Sequence, residues 1–264
     1  MNKVAIITGA SSGIGKATAE ALAGRGYTVY DFSRTGSHGE KMEHIFCDVS
    51  NEETVKKAVA EVIARENRID ILINNAGFGI SGAVEFTEKE DAKHLLDVNL
   101  LGADCVTKHV LPHMRKRGEG RIINISSVAA VFPIPYQTWY SVSKAAVNAY
   151  TLALRNEVSQ FGVSVSAVMP GDIQTGFTEK REKNHSGDEV YSGRISKSVQ
   201  KMEKDEKGGM QSEKAGNFIA SKACKRHVKP LYVIGNIYRV FAFLNRLLPT
   251  ELINRIIGKM YGGY

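Results

Sequence analysis

A regular alternation of short apolar runs with longer stretches of helical periodicity constrains the fold of this chain more than any other feature of its sequence. Runs such as Val4–Ile7 and Ile71–Ile73 are apolar at successive positions, as expected for strands covered on both faces. Strands are predicted at Lys3–Thr8, Thr28–Ser33, His44–Cys47, Ile69–Ile73, Arg121–Ser126, Val163–Met169 and Leu231–Val233. Helices are predicted at Gly13–Gly24, Glu52–Glu66, Glu88–Arg117 and Thr138–Phe161. This order predicts an α/β fold with a doubly wound parallel sheet and helices on both faces.

Composition places the chain among ordinary globular proteins. Of the 264 residues, 43% are apolar and 24% are charged, and no linker divides the sequence, so a single domain is predicted over residues 1–264. No apolar run reaches the roughly 18 residues that a membrane-spanning helix needs, and the N-terminus lacks the pattern of a signal peptide. The cysteines Cys47, Cys105 and Cys224 have neither disulfide nor metal spacing, which predicts a cytoplasmic protein without a metal site.

The formal charge of +7 is concentrated near the C-terminus. Residues 215–264 hold eight basic side chains and one acidic side chain, so the preceding residues are neutral overall. Because no nucleic-acid-reading motif accompanies these charges, a nucleic-acid partner is not expected. The basic and apolar extension over residues 229–264 predicts a peripheral contact with a membrane or an acidic partner, the alternative being a solvated helical face. Phe241, Leu244, Leu247 and Leu248 are predicted to share one helical face that closes the pocket, joins subunits or touches a membrane.

A second unusual segment, Glu179–Lys214, interrupts the alternation of strands and helices. It contains nine basic and eight acidic residues and few large apolar side chains. Such a composition predicts a mobile insertion that follows the last long strand. We therefore expect a substrate lid within residues 175–214.

A glycine-rich turn joins the first predicted strand to the first predicted helix. Its sequence is Thr8-Gly9-Ala10-Ser11-Ser12-Gly13-Ile14-Gly15, and glycines in such a turn let the backbone approach a pyrophosphate. The free amides at the helix N-terminus and the helix dipole favour that anion. The residues predicted to bind a dinucleotide here are Gly9, Ser11, Ser12, Gly13, Ile14 and Gly15. The alternative is a tight turn that serves helix–strand packing alone.

The end of the second predicted strand distinguishes the two nicotinamide dinucleotides. An acid at this point binds the ribose 2′-hydroxyl of NAD, whereas an arginine binds the 2′-phosphate of NADP. Here Ser33 occupies the position expected for the acid and Arg34 follows it, which predicts NADP(H). Asp31 points to the same face as Ser33, and a shift of two residues would make it the ribose ligand and favour NAD(H).

Further short motifs follow the later strands. They are Asp48-Val49, Asn74-Asn75-Ala76-Gly77, Tyr140-Ser-Val-Ser-Lys144 with Ser127 thirteen residues before the tyrosine, and Pro170-Gly171-Asp172-Ile173-Gln174-Thr175. Together with the glycine turn, they resemble the short-chain dehydrogenase/reductase family over residues 3–178, which implies a Rossmann-type fold. The resemblance implies dinucleotide contacts by Asp48, Val49, Asn75, Ala76, Gly77, Pro170, Gly171, Ile173 and Thr175. It also implies a homodimer or homotetramer, and a looser similarity of residues 229–249 points to the hydroxysteroid and retinol dehydrogenases of this family.

The spacing of Tyr140 and Lys144 points to proton transfer. One helical turn separates the two residues, so their side chains share a face. A free tyrosine with a pKa of about 10 is a poor base, and a neighbouring ammonium group with an oxidised nicotinamide favours its phenolate. Ser127 follows a strand at the ligand-binding edge, where its hydroxyl can hold the substrate oxygen; Ser126 is the alternative if the strand end is bulged. The resemblance adds Asn99, holding a water beside Lys144, and contacts of Tyr140 and Lys144 with the dinucleotide.

Large apolar side chains are expected around the nicotinamide. The residues predicted to line the substrate pocket are Ser127, Phe78, Ile134 and Trp139, which suit a hydrophobic alcohol or ketone; the alternative is that the apolar ones pack beneath a loop. The predicted activity is reversible hydride transfer between NADP(H) and a hydrophobic secondary alcohol or ketone, with steroid-, bile-acid- or retinoid-like substrates favoured. The alternatives are a 3-oxoacyl-thioester reductase and an NADP(H)-responsive regulatory or scaffold protein, which would be expected to lack the catalytic side chains.

Overall fold

The computed structural model describes residues 2–36 and 42–263; Met1 and Tyr264, the ends of the predicted domain, lie outside these ranges. The strands are β1 (Val4–Thr8), β2 (Thr28–Ser33), β3 (Met42–Phe46), β4 (Ile71–Asn74), β5 (Ile80–Ser81), β6 (Gly120–Ile125), β7 (Val163–Pro170), β8 (Ile173–Gln174), β9 (Glu182–Lys183), β10 (Met210–Gln211) and β11 (Leu231–Ile234). The helices are α1 (Gly13–Ala23), α2 (Glu52–Glu66), α3 (Lys89–Leu96), α4 (Gly102–Arg117), α5 (Thr138–Val158), α6 (Phe177–Lys180), α7 (Arg194–Lys207), α8 (Ser212–Ala223), α9 (Asn236–Leu244) and α10 (Thr250–Tyr261).

Seven parallel strands form the central sheet in the order β11-β7-β6-β4-β1-β2-β3. The predicted doubly wound parallel sheet is confirmed. The chain moves outward from β1 through β2 and β3, and then in the other direction from β4, so the strand order reverses between β1 and β4. The carboxyl ends of these two strands border the kind of crevice in which open α/β sheets bind ligands.

Both faces of β1 are covered, which explains why its sequence does not alternate between apolar and polar residues. Val4 and Ile6 pack in a core with residues of α2, α4 and α5. Ala5 and Ile7 pack on the opposite face with residues of α1 and α8. Each large side chain of this kind stabilises the fold by roughly 1.5–3 kcal/mol relative to exposure, so the strand is held rigidly at the base of the crevice.

The predicted helix Glu88–Arg117 is interrupted. The structure has α3 and α4 in its place, joined by a π-helical turn at Asp97–Leu101 that contains Asn99. A π turn inserts one residue into the helical ladder, often at a functional site, and hydrophobic periodicity does not reveal it.

Two expectations for the C-terminal half also change. Residues 194–207 form α7, whose Ile195, Val199 and Met202 are buried, so part of the mixed-charge segment packs against the core through one apolar face. Helix α9 ends at Leu244, and the prediction that Leu247 and Leu248 continue the same helical face is therefore wrong. No helix in the described parts of the chain is long and apolar enough to cross a membrane.

Candidate active site

A cavity of about 620 Å³ opens at the carboxyl ends of β1 and β4. The predicted dinucleotide-binding residues that line it are Gly9, Ser11, Ser12, Gly13, Ile14, Ser33, Arg34, Asp48, Val49, Asn75, Ala76, Gly77, Tyr140, Lys144, Pro170, Gly171, Ile173 and Thr175. Gly15 is not among the described lining residues. A Cβ at Gly15 would lie 2.3 Å from the Gly9 carbonyl oxygen, so this glycine serves the close packing of α1 beneath the turn.

The glycine turn forms a cradle that fits a pyrophosphate. Gly9 and Gly13 have positive φ angles of 67° and 56°, a conformation that side chains with a Cβ rarely adopt. Ser12 precedes α1, and among the described residues its side chain makes no capping hydrogen bond to the first helical amides. Those amides and the helix dipole are available to an anion in the cavity. The Lys180 ammonium donates to the Ser12 hydroxyl at 3.0 Å and adds a positive charge beside the cradle.

Thr8 and Asn75 join the carboxyl ends of β1 and β4. The Thr8 hydroxyl accepts hydrogen bonds from the backbone amides of Asn75 and Ala76, each at 2.9 Å. The Asn75 amide group in turn donates to the carbonyl oxygens of Thr8, at 2.9 Å, and Gly9, at 3.1 Å. This part of the Asn-Asn-Ala-Gly motif therefore holds the glycine turn and the loop after β4 at a fixed separation.

Asp31 serves the glycine turn, and its neighbours reach the cavity. Its buried carboxylate accepts from the Ala10 amide and the Ser33 hydroxyl, both at 2.8 Å, and burial raises its pKa. Ser33 and the exposed Arg34 line the cavity, as does Asp48. Burial acts to raise the Asp48 pKa, but hydrogen bonds from Ser50 and the charge of Arg34 outweigh it, and the net pKa is lowered.

Tyr140 lies in the first turn of α5 and faces Ser127, which follows β6. Burial raises the pKa of Tyr140 to about 12, opposed by a hydrogen bond with Ser127 and by the charge of Arg181. The Ser127 hydroxyl also accepts from the Ala129 amide at 3.1 Å. The phenol and the hydroxyl thus meet on one wall of the cavity, where both can contact one substrate oxygen.

Lys144 lies one turn after Tyr140 and is buried. Its ammonium group donates to the Ile125 carbonyl at 2.9 Å and lies 5.6 Å from the centre of the Tyr140 ring. Burial lowers the pKa of Lys144 to about 8. The buried Ser126 donates to the Lys144 carbonyl at 3.0 Å, so its hydroxyl is used in anchoring α5, and Ser127 is the serine that faces the tyrosine.

Asn99 lies behind the loop that follows β4 and not on the described cavity wall. Its amide group donates to the Phe78 carbonyl at 2.9 Å and to the Ser143 hydroxyl at 3.1 Å, and its oxygen accepts from the Phe78 amide at 3.0 Å. A Cβ at Gly77 would come within 2.8 Å of the Asn99 oxygen and 3.6 Å of the Lys144 ammonium. The π-helical turn therefore places Asn99 where it fixes the loop and approaches Lys144.

The predicted substrate pocket is brought together in part. Phe78, Ile134 and Ser127 line the cavity, whereas Trp139 is absent from its described lining. Successive helical residues point about 100° apart. Because Tyr140 faces the cavity, the preceding tryptophan points in a different direction, and the assignment of Trp139 to the pocket stays a prediction.

The segment after β7 contributes residues that the sequence analysis missed. The Phe177 ring lies 5.6 Å from the Tyr140 ring, measured between centres. Glu206 of α7 reaches the cavity wall, forms an ion pair with the buried Arg181 and accepts from the Thr178 hydroxyl at 2.6 Å. Only the high charge density of residues 179–214 hinted at this site, since the pairing depends on α7 packing beside β8.

Comparisons with known proteins identify the family to which this chain is similar. The model of the short-chain dehydrogenase family matches residues 3–186. Over 263 residues the chain is 38% identical to a 3-ketodihydrosphingosine reductase of Bacteroides thetaiotaomicron, with 98% of each chain covered. It is 38% identical over 190 residues to a 3-oxoacyl-[acyl-carrier-protein] reductase of Thermotoga maritima, covering 67% of this chain and 77% of that one. The structure of a short-chain dehydrogenase from Streptomyces avermitilis superimposes with a TM-score of 0.84 at 28% identity, over 93% of each chain.

Proposed function

This chain belongs to the short-chain dehydrogenase family, and from that premise we propose that it reduces a long-chain amino ketone, of the type of 3-ketodihydrosphingosine, to the secondary alcohol with NADPH. It is an oxidoreductase. The observation that carries the proposal is that Ser127, Tyr140 and Glu206 all line the same cavity. This arrangement provides a proton donor, a hydroxyl for the carbonyl oxygen and a carboxylate within one site.

The cofactor proposal depends on the end of β2. The Asp31 carboxylate already accepts from Ala10 and Ser33, so it is engaged within the protein. Arg34 is exposed at the cavity wall beside Ser33, where its guanidinium can pair with a 2′-phosphate. We therefore favour NADP(H) over NAD(H), with the pyrophosphate held at the N-terminus of α1.

In the proposed catalysis, each side chain has a role in proton transfer or in positioning. When bound, a reduced nicotinamide would supply the hydride to the carbonyl carbon of the substrate. Ser127 donates a hydrogen bond to the carbonyl oxygen, and Tyr140 donates its proton to the same oxygen as negative charge develops there. Lys144, when charged, favours the phenolate that Tyr140 leaves behind and can hold the nicotinamide ribose. Asn99 positions the loop beside Lys144 through Phe78, and the reverse reaction uses the same groups.

Glu206 favours an amino ketone as the substrate. A ketone of the 3-ketodihydrosphingosine type bears an ammonium group on the carbon next to its carbonyl carbon, and has a long apolar chain. The charge of Glu206 raises the pKa of Tyr140, which places this carboxylate within electrostatic range of the phenol. An ammonium group that shared the Glu206 carboxylate with Arg181 and Thr178 would leave the neighbouring carbonyl close to Tyr140. Phe78, Ile134 and Phe177 provide apolar surface in the same cavity.

A 3-oxoacyl thioester is the second candidate substrate, because of the similarity to the reductase of Thermotoga maritima. Such a thioester carries no ammonium group, and Glu206 would have no cationic partner in it. The expected steroid-, bile-acid- and retinoid-like substrates have no counterpart in the names of the relatives described above. They remain useful as neutral hydrophobic ketones in the assay.

The test is an NADPH oxidation assay with 3-ketodihydrosphingosine, a 3-oxoacyl thioester and a steroid ketone, each repeated with NADH. We expect the highest kcat/KM for the amino ketone with NADPH. Tyr140→Phe should lower kcat by about 10²–10⁴-fold, the usual contribution of a general acid, and keep NADPH binding, whereas Tyr150→Phe on the same helix should be near wild type. Preference for the thioester would replace the substrate proposal, and NADPH binding without turnover of any ketone would favour the regulatory alternative.

The proposal also covers the oligomeric state, the location and the lid of the enzyme. We propose a homodimer or homotetramer in the cytoplasm, in which residues 175–214 act as the lid over the substrate. Helices α4 and α5 are suited to the subunit contact because Leu101, Val142 and Leu152 are exposed beside or on them. We assign peripheral contact with a membrane to the C-terminal extension.

A further inference from the structure

Exposed apolar side chains gather in the segment that follows β11. Eight of the fifteen large apolar side chains that are exposed in the described chain lie within residues 237–260. They are Ile237, Val240, Phe241, Phe243, Leu247, Leu252, Ile256 and Met260, with exposed fractions between 39% and 65%. We call these residues the C-terminal apolar surface. So dense a group of exposed apolar residues is typical of a surface that meets another apolar phase.

Basic side chains are interspersed with this apolar surface. Arg239, Arg246, Arg255 and Lys259 lie in the same segment, where Glu251 is the one acidic residue. Glu251 pairs with Arg255 at 3.1 Å, which leaves a net positive charge. Apolar side chains next to basic ones are the pattern of helices that lie in the interface of an anionic membrane.

Helix α10 is held on the protein by one side only. The Tyr261 hydroxyl donates to the Asp205 carboxylate at 3.0 Å, and the Lys201 ammonium lies 5.5 Å from the centre of the Tyr261 ring. Leu252, Ile256 and Met260 remain exposed. With 12 residues, α10 is too short to span a bilayer, so an apolar phase could be met only along its side.

Helix α9 links this surface to the cavity. The Tyr238 hydroxyl donates to the Asp172 carboxylate, and a Cβ at Gly171 would lie 2.0 Å from the Tyr238 ring. Gly171 and Asp172 line the cavity. On the next turn, Phe241 packs edge-on against the buried Phe132, with 6.4 Å between the ring centres. Whatever α9 contacts therefore lies next to one wall of the candidate active site.

We propose that the C-terminal apolar surface docks on an anionic lipid bilayer, with α9 and α10 lying in the plane of the interface. A second copy of this chain fits less well, because a two-fold contact would place basic residues such as Arg246 and Lys259 opposite the same basic surface. Anionic headgroups instead neutralise these charges. Docking places the Gly171–Asp172 wall of the cavity beside the phase in which a long-chain substrate dissolves.

The test is co-sedimentation of the full chain with vesicles of phosphatidylcholine alone or mixed with phosphatidylglycerol. We expect binding to the anionic vesicles to exceed binding to the neutral ones by more than about tenfold and to fall as salt is raised. Phe243→Ser combined with Leu247→Ser should lower anionic binding by at least about tenfold, and Arg246→Glu combined with Lys259→Glu should lower it similarly. The matched control, Val84→Ser with Val190→Ser, removes exposed apolar side chains elsewhere and should bind like wild type.

Vesicle binding requires no turnover, so failure of the substrate proposal would leave this one standing. Thermal unfolding of each variant shows whether it is folded, which is expected because all substituted side chains are exposed. The proposal would be overturned by equal binding to both vesicle types or by no binding to either. It would also be overturned if the control variant lost as much binding to anionic vesicles as the other variants. A fall in oligomeric state of the Phe243/Leu247 variant, without vesicle binding by wild type, would identify the surface as a subunit contact instead.

Discussion

At the scale of single residues, the pKa values of two neighbouring side chains in the cavity are shifted in opposite directions from their ordinary values. Burial raises the pKa of Tyr140 to about 12 and lowers that of Lys144 to about 8. Burial disfavours the charged form of each group, so both effects have one cause. The protein therefore keeps the phenol protonated over the whole neutral range, while the lysine loses its charge just above it.

Lys144→Met tests this burial through the pH dependence of stability. The unfolded lysine holds its proton to a pKa of about 10.5, whereas the folded one releases it near 8. Between these values the unfolded state binds more protons, so the wild-type free energy of unfolding should gain up to roughly 3 kcal/mol from this group as pH rises. We expect the gain to be absent in the variant. Urea unfolding at several pH values between 7 and about 10 measures the difference, and parallel curves for the two proteins would contradict it.

Glu206→Gln tests the recognition of an ammonium group. Glutamine keeps the shape of the side chain and can still accept from Thr178, but it lacks the charge. Hydrogen bonds to charged groups contribute about 1.5–3 kcal/mol, so KM for the amino ketone should rise by about tenfold or more, with little change for a neutral ketone. Steady-state kinetics with both ketones provide the measurement.

Two controls accompany this substitution. Glu203→Gln changes a residue of the same helix that pairs with Lys183 at 2.6 Å and is not among the described cavity residues; it should leave KM unchanged. Arg181 loses a paired charge in the Glu206 variant, so thermal unfolding is followed in parallel. An equal rise in KM for both ketones would mean that Glu206 acts through the structure of the lid and not through an ammonium group.

At the scale of elements, local patterns predicted the strands well and the ends of helices less well. β1 and β4 are apolar on both faces because helices cover both sides, and the sequence shows this as runs of consecutive apolar residues. The π turn around Asn99 has no such local signature. The Arg181–Glu206 pair joins residues 25 positions apart, and only the folded path of α7 brings them together. The glycine turn and most of the residues that line the cavity beside it were thus predictable, whereas the Arg181–Glu206 side of the cavity depends on long-range packing.

Gly216 is an element-scale position at which packing can be tested. It lies on α8 where this helix crosses α1, and a Cβ there would be 2.4 Å from the carbonyl carbon of Ala17. Because backbone cannot move aside cheaply, Gly216→Ala should lower the free energy of unfolding by roughly 1–3 kcal/mol. Gly258→Ala on α10 meets no described atom within 4 Å, and should raise it by up to about 1 kcal/mol through helix propensity. Chemical denaturation measures the free energy of unfolding of both variants, and equal changes would contradict the close crossing of α8 and α1.

At the scale of the whole molecule, the C-terminal apolar surface and the exposed apolar residues of α5 differ in the charge around them. The C-terminal apolar surface is basic, which favours an anionic membrane over a copy of itself. Helix α5 carries the exposed Val142 and Leu152. Its Lys144 is buried, and its Arg155 is balanced by Glu157, so the exposed surface of α5 lacks the excess of basic residues found at the C-terminus. This difference would let one surface serve the proposed subunit contact and the other the proposed membrane contact at the same time.

Leu152→Asp should therefore separate assembly from membrane binding. A carboxylate on the exposed face of α5 would be buried without a partner in a subunit contact, which costs several kcal/mol per interface. We expect sedimentation velocity to report a lower oligomeric state for this variant, with vesicle binding per chain retained. An unchanged oligomeric state would place the subunit contact elsewhere. If the variant with Phe243→Ser and Leu247→Ser dissociated instead of the Leu152 variant, the C-terminal segment would be the subunit contact. The assignments of the subunit contact and the membrane contact would then have to be exchanged.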